Sequence, residues 1–363
     1  NSGSDDLTFW ASNNPEEISF IEAYAENWNN AGKLPVVSVM PIPEGQSSEE
    51  IILAAVVGKT TPDIYANMWQ GEVEDYARAG VLIPLDTISG FLDFIEQRCS
   101  AEVIKEITST DGHIYQVPWK VNPIMMLYNK EMVQAAGMDT MPGSYSSFIG
   151  AGAQISHDSD DDGYFDIWLG STEVSPIWWQ RLFNFVPLYY SATGGAPIVE
   201  NEQAAFNNEY GVAVFEFLQE LYKLGYFPKE QMKGQRDIFL AEKIAVKFTG
   251  PWSIRQIETF RPNEMNYTFV PMPRPDNATG PNYTYCDPKN IVIFNTCSDP
   301  SRAWSFIKTL ISETGDRDFL TESNQLPRRN DLMTNEVFEP YFQKNPQMIP
   351  FALQSKYLRG VES

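Results

Sequence analysis

The stretch that decides the fold runs from Leu7 to Ala66. It opens with the strand-like Leu7-Thr8-Phe9-Trp10, followed by Asn14-Pro15-Glu16-Glu17. Asn14 is a good helix N-cap, Pro15 suits the first helical position, and the two glutamates complement the helix dipole. Ile18, Ile21, Ala25 and Trp28 then share one face, and Gly32 and Pro35 end the segment. A second strand, Val36-Val37-Ser38-Val39-Met40, comes next. Ser47 and Glu50 have capping-box spacing ahead of a helix over Ile51 to Val57, which Gly58 terminates. Thr61-Pro62-Asp63-Ile64-Tyr65-Ala66 opens a third strand. Strand, helix, strand, helix, strand predicts parallel α/β units. In such sheets ligands bind beyond the carboxyl ends of the strands. That rule aims Trp10 and Asn13, after the first strand, and Trp69 and Gln70, after the third, at one place.

Farther along, Val214, Phe217, Leu218, Leu221 and Leu224 form the apolar stripe of a helix over Val212 to Leu224, stopped by Gly225. Asp299-Pro300 starts another, with Ala303, Trp304, Ile307 and Leu310 inward. A chain of 363 residues exceeds what one core supports, so two domains are expected. No run of about 18 apolar residues spans a bilayer. The opening Asn1-Ser2-Gly3-Ser4-Asp5-Asp6 reads as a tether or processed terminus.

The net charge of −22 disfavours nucleic acid and anionic lipid as partners. Two histidines leave little scope for histidine catalysis or metal binding. Cys99, Cys286 and Cys297 have no zinc or redox spacing. Cys286 and Cys297 flank a strand-like run, which leaves two readings open, a disulfide in an oxidising compartment or unpaired apolar side chains. Gly58-Lys59-Thr60 ends like a phosphate loop, but Leu53 stands where that motif needs glycine, so it reads as a helix end. Nine tryptophans lean toward carbohydrate, because an indole stacks on the C–H face of a sugar ring while amides and carboxylates take its hydroxyls. Trp178 and Trp179 are adjacent and on a helix would point about 100° apart.

One acidic stretch stands out. His157 precedes Asp158-Ser159-Asp160-Asp161-Asp162-Gly163-Tyr164-Phe165-Asp166, five carboxylates in nine residues. They repel one another unless a cation sits among them. Asp158, Asp160 and Asp162 converge in such a loop, Gly163 takes the sharp turn, Tyr164 offers its carbonyl and Asp166 closes the far side; hard oxygen ligands suit Ca²⁺. Leu169 stands where an EF-hand closes with Glu, so the expectation is a shorter structural calcium loop, weighed against a solvated acidic turn.

The chain resembles the family 1 extracellular solute-binding proteins of bacterial ABC importers, the group that includes maltose-binding protein. The resemblance is carried by Leu7-Thr8-Phe9-Trp10; by Gly58-Lys59-Thr60-Thr61-Pro62-Asp63-Ile64 with Ala79-Gly80-Val81-Leu82-Ile83-Pro84-Leu85-Asp86; by Asp111-Gly112-His113-Ile114-Tyr115-Gln116-Val117-Pro118 with Leu127-Tyr128-Asn129-Lys130-Glu131-Met132; by Phe239-Leu240-Ala241-Glu242-Lys243-Ile244-Ala245-Val246 with Gly250-Pro251-Trp252; and by Leu326-Pro327-Arg328-Arg329-Asn330-Asp331. It implies an α/β, two-lobed periplasmic-binding-protein fold, each lobe a mainly parallel sheet flanked by helices. It implies hinge crossings near Pro118, Pro271 to Pro275 and Ser312, giving an N-terminal lobe of 1–118 plus 276–312 and a C-terminal lobe of 119–275 plus 313–363. It implies a monomeric, non-enzymatic receptor, periplasmic or extracellular with a lipid anchor as one option. Such a receptor captures a sugar or oligosaccharide in an interlobe cleft, closes on it and delivers it to a membrane ABC permease. Family position adds Trp119, Lys120 and Asn122 at the first crossing, Asp287 near the second, and Trp252 as the stacking indole. The alternatives are a glycoside hydrolase, a surface lectin, and a receptor for an acidic sugar paired by Lys120 or Arg255.

Overall fold

The structure, a computed structural model, describes residues 6–33, 35–43, 47–172, 178–200, 203–229, 237–261 and 264–361. The chain divides into two compact units. The first takes the chain up to Val121 together with Pro288–Lys344; the second takes Asn122–Asp287 and Asn345–Val361. No helix among the described residues is long and apolar enough to cross a membrane.

In the first unit, Asn14 caps the helix Pro15–Asn30, its side chain accepting from the Glu16 and Glu17 N–H groups. That helix buries Phe20, Ile21, Ala25 and Trp28 against the sheet. The Ser47 hydroxyl accepts from Glu50 N at the start of Ser48–Gly58, and Lys59, in the left-handed conformation at φ 54°, ends that helix. The sheet runs in the order Leu326–Pro327, Val117–Val121, Lys289–Ile293, Ile64–Trp69, Leu7–Ala11, Val37–Pro41. Leu7–Ala11 is parallel to both its neighbours; the remaining pairings are antiparallel. The expectation of a mainly parallel sheet is therefore corrected to a mixed one. Helices connect the first three strands and force them parallel, whereas Lys289–Ile293 enters after an excursion through the second unit and inserts the other way.

The second unit has a four-stranded sheet in the order Tyr267–Val270, Met125–Asn129, Ile244–Thr249, Trp168–Ser171. Only the Trp168–Ser171 pairing with Ile244–Thr249 is parallel. Asn208 caps the helix Glu209–Lys223, whose Phe217 stacks on Tyr145 of helix Tyr145–Ile155 at 3.9 Å and 8°.

The expected boundaries are also corrected. The chain passes between units at Val121/Asn122, Asp287/Pro288 and Lys344/Asn345. Residues 313–344 belong to the first unit because Leu326–Pro327 pairs with Val117–Val121 and Phe319 packs on Phe20 at 5.3 Å. Residues 276–287 belong to the second, where Thr284–Tyr285 pairs with Leu358–Arg359. No disulfide joins Cys286 to Cys297; they lie at opposite ends of the strand Lys289–Ile293, and all three cysteines are buried thiols.

Candidate functional site

In the first unit the carboxyl ends of two parallel strands bring candidates together. Trp10 is the penultimate residue of Leu7–Ala11, half-buried against a cluster that includes Tyr65, Met68 and Val73. Asn13 lies exposed just beyond. Trp69, half-buried, ends Ile64–Trp69 and stands at the N-cap of helix Gln70–Arg78. Gln70 is buried, and its Nε2 donates to Glu106 Oε1 at 3.0 Å; Arg328 Nη2 donates to the other Glu106 oxygen at 2.7 Å. Because a carboxylate only accepts, Glu106 fixes which way the Gln70 amide is flipped and leaves its carbonyl oxygen for another donor.

Glu72, one turn along, escaped the sequence reading. Burial and then the Glu49 carboxylate push its pKa up to about 7, with Lys289 opposing. A half-buried carboxyl with an acidic neighbour is a property of packing, so no motif announces it.

The three residues placed by family position at the first crossing fare differently. Trp119, expected at the ligand, is 0% exposed in the core, with its ring 4.9 Å from that of Phe319. Lys120, expected to meet the ligand or pair an acidic sugar, is buried and paired to Glu17. Glu17 also accepts from Gln325 Nε2 and, at 2.6 Å, from the Ser12 hydroxyl. Both assignments are corrected: every residue of Val117–Val121 is buried, so neither side chain is at a surface. The signal that finds Trp119 is strand alternation, which puts it on one face with Val117 and Val121. Asn122 is buried as well, its N–H donating to Cys286 O at 2.6 Å.

In the second unit Trp252 begins helix Trp252–Phe260 just after the strand Ile244–Thr249. It is 44% exposed, and Phe183 meets it edge-on at 5.9 Å and 88°. Phe183 carried no sequence signal. Asp287 is half-buried in the left-handed region at φ 39°, and Tyr285 Oη donates to its carboxylate at 3.3 Å. The side chains of Trp178 and Trp179 lie outside the described residues.

The acidic loop is also in the second unit. Carboxylate oxygens of Asp158, Asp160 and Asp166 lie within 4.8 Å of one another. Asp158 accepts from the N–H groups of Asp160, Asp162 and Gly163, and Asp162 from that of Tyr164 at 2.8 Å. Gly163, at φ 90°, makes the turn, as expected. The N–H donors, Gly163 first, hold Asp158 below the usual carboxylate range, and the Ser159 hydroxyl does so for Asp166; Asp162's charge pushes Asp160 up.

Residues 21–350 match the model of the bacterial extracellular solute-binding proteins. A maltotriose-binding protein of Pyrococcus abyssi is 23% identical over 312 residues, covering 84% of this chain and 62% of that protein. An arabinooligosaccharide-binding protein of Bacillus subtilis is 26% identical over 147 residues, 38% of this chain and 31% of its own length. The chain thus spans less than two thirds of the length of these curated relatives. Among solved structures, an uncharacterized protein of Listeria monocytogenes superposes with a TM-score of 0.86 at 24% identity, covering 99% of this chain and 89% of the other. A cyclic α-maltosyl-1,6-maltose binding protein of Arthrobacter globiformis gives 0.81 at 19%, covering 99% and 88%. These superpositions show the fold.

Proposed function

The chain belongs to the bacterial extracellular solute-binding protein family, and from that premise we propose that it captures a sugar or short oligosaccharide outside the cytoplasm, without altering it, for delivery to a membrane ABC importer. The observation that carries the sugar reading is the Trp252 indole, a large apolar plane left 44% exposed beyond a strand's carboxyl end. On the first unit, Trp10 and Trp69 are the further aromatic planes, with Asn13 and Gln70 as hydrogen-bonding partners for hydroxyls. On the second, Asn122 and Asp287 take that role. The relatives described as binding maltotriose and arabinooligosaccharide support this ligand class.

A thermal-shift screen across mono- and oligosaccharides, followed by calorimetry, tests it. A sugar that binds raises the melting temperature and is recovered intact after incubation. Trp252→Ala weakens its binding by at least about 1 kcal/mol. Turnover would favour the hydrolase reading, and unchanged affinity would remove Trp252 from the site. Small-angle scattering with and without that sugar tests hinge closure; an unchanged profile favours a lectin.

The acidic loop supports a second reading, a structural Ca²⁺ held by Asp158, Asp160, Asp162, Asp166 and the Tyr164 carbonyl. Its support is the cluster of three converging carboxylates around the Gly163 turn. Ca²⁺ added to chelator-treated protein raises the melting temperature; no heat and no shift would end this reading.

A further inference from the structure

Trp69 and Trp252 hold equivalent stations in their respective units. Each comes just after or at the carboxyl end of a sheet strand, and each stands at the start of a helix. Each ring also lies directly on a glycine two residues away. A Cβ on Gly71 would stand 2.5, 2.6 and 2.9 Å from the Trp69 ring atoms Cη2, Cζ3 and Cζ2. A Cβ on Gly250 would stand 2.1, 2.5 and 2.6 Å from Cζ3, Cη2 and Cε3 of Trp252. Carbon atoms in ordinary contact keep about 3.5 to 4.0 Å, so neither indole can occupy its observed place over an alanine.

The backbone does not call for glycine at either position. Neither Gly71 nor Gly250 is among the positive-φ residues, and the atoms nearest each absent Cβ all belong to the indole. Glycine inside a helix or beside its start is a weak choice on propensity alone. Gly152 under Tyr226 differs: there the ring arrives from a distant part of the chain, as ordinary packing between elements. At Gly71 and Gly250 the chain folds its own indole back onto itself, within three residues.

We propose that Gly71 and Gly250 are positioning residues for sugar recognition, each setting the plane on which its neighbouring tryptophan receives a ring. The inference rests on the sugar-receptor reading. Stacking depends on the distance and tilt of the aromatic face, and the bare Cα of glycine is the floor that sets both. The three atoms nearest an added methyl group all lie at the outer end of a side chain, which swings away about its two torsions. The fold is kept and the plane is lost.

The test is a pair of mutant cycles, Gly71→Ala with Trp69→Ala and Gly250→Ala with Trp252→Ala. Binding of maltotriose and of an arabinooligosaccharide is read by calorimetry, and tryptophan emission of the ligand-free proteins is read alongside. Each glycine substitution alone shifts the emission, moves the melting temperature little, and lowers affinity for the sugar that the wild type binds by about tenfold. On the matching Trp→Ala background, the same glycine substitution changes neither emission nor affinity further. Glycine variants that bind and emit like the wild type would overturn the inference, as would an equal loss of affinity with the indole already removed. A wild type that binds neither sugar nor any other in the screen overturns the receptor reading beneath it, a result distinct from both.

Discussion

Trp119 and Trp252 make an instructive pair. Both are tryptophans in or just beyond a sheet strand, and the family resemblance places both at a ligand. Trp119 lies within Val117–Val121 and is 0% exposed; Trp252 lies past Ile244–Thr249 and is 44% exposed. The difference is one of position relative to the strand. A residue inside a strand covered on both faces is packed whichever way it points. A residue beyond the last ladder bond, at a helix start, is released from the sheet and stands where ligands approach. The rule that aims residues at a binding site therefore applies to those at or past a strand's carboxyl end, such as Trp10, Trp69 and Trp252, not to those in its middle, such as Trp119.

The comparison is most severely tested on stability. Trp119→Ala costs about 3 to 5 kcal/mol, as removal of a large core side chain does, whereas Trp252→Ala changes unfolding free energy little and acts on binding instead. Denaturant titration of the two variants reads both; equal losses would erase the distinction. Next comes Lys120, the neighbour of Trp119. Lys120→Met leaves Glu17 buried without its cation and costs about 3 kcal/mol or more, and Glu17→Gln on the same background restores most of it. A Lys120→Met variant as stable as the wild type, with ligand binding lost, would return Lys120 to the site.

The smallest effect concerns Glu72, near Trp69. Its carboxyl, raised to about 7 by burial and Glu49, binds a proton more tightly in the folded protein than the ordinary group at 4.5. That contribution to stability is complete below about pH 4.5 and is lost as the pH rises through 7. Glu72→Gln flattens this part of the profile of melting temperature against pH, and an unaltered slope would assign the dependence elsewhere.

Local chemistry was legible wherever one residue acts on its chain neighbours. Asn14, Ser47 and Asp299 cap the helices that their spacing announced, each side chain accepting an N–H two or three residues on. The Gly163 turn is where the Asp-rich pattern placed it. The third passage between units was not legible, because the pairing of the two-residue strand Leu326–Pro327 with Val117–Val121 joins segments some two hundred residues apart. The Glu17, Lys120 and Gln325 cluster was hidden for the same reason.

By itself the order of residues determined the alternation of strands and helices, the caps at Asn14, Ser47 and Asp299, the acidic turn and the family, because propensities, caps and periodicity act over a few bonds. Only the tertiary structure decided that Trp119 is core while Trp252 is open, where a lysine finds its carboxylate, how the sheets mix their strand directions, and that two glycines lie beneath indoles. Those outcomes depend on what covers each side chain, and burial is a property of segments brought together in space.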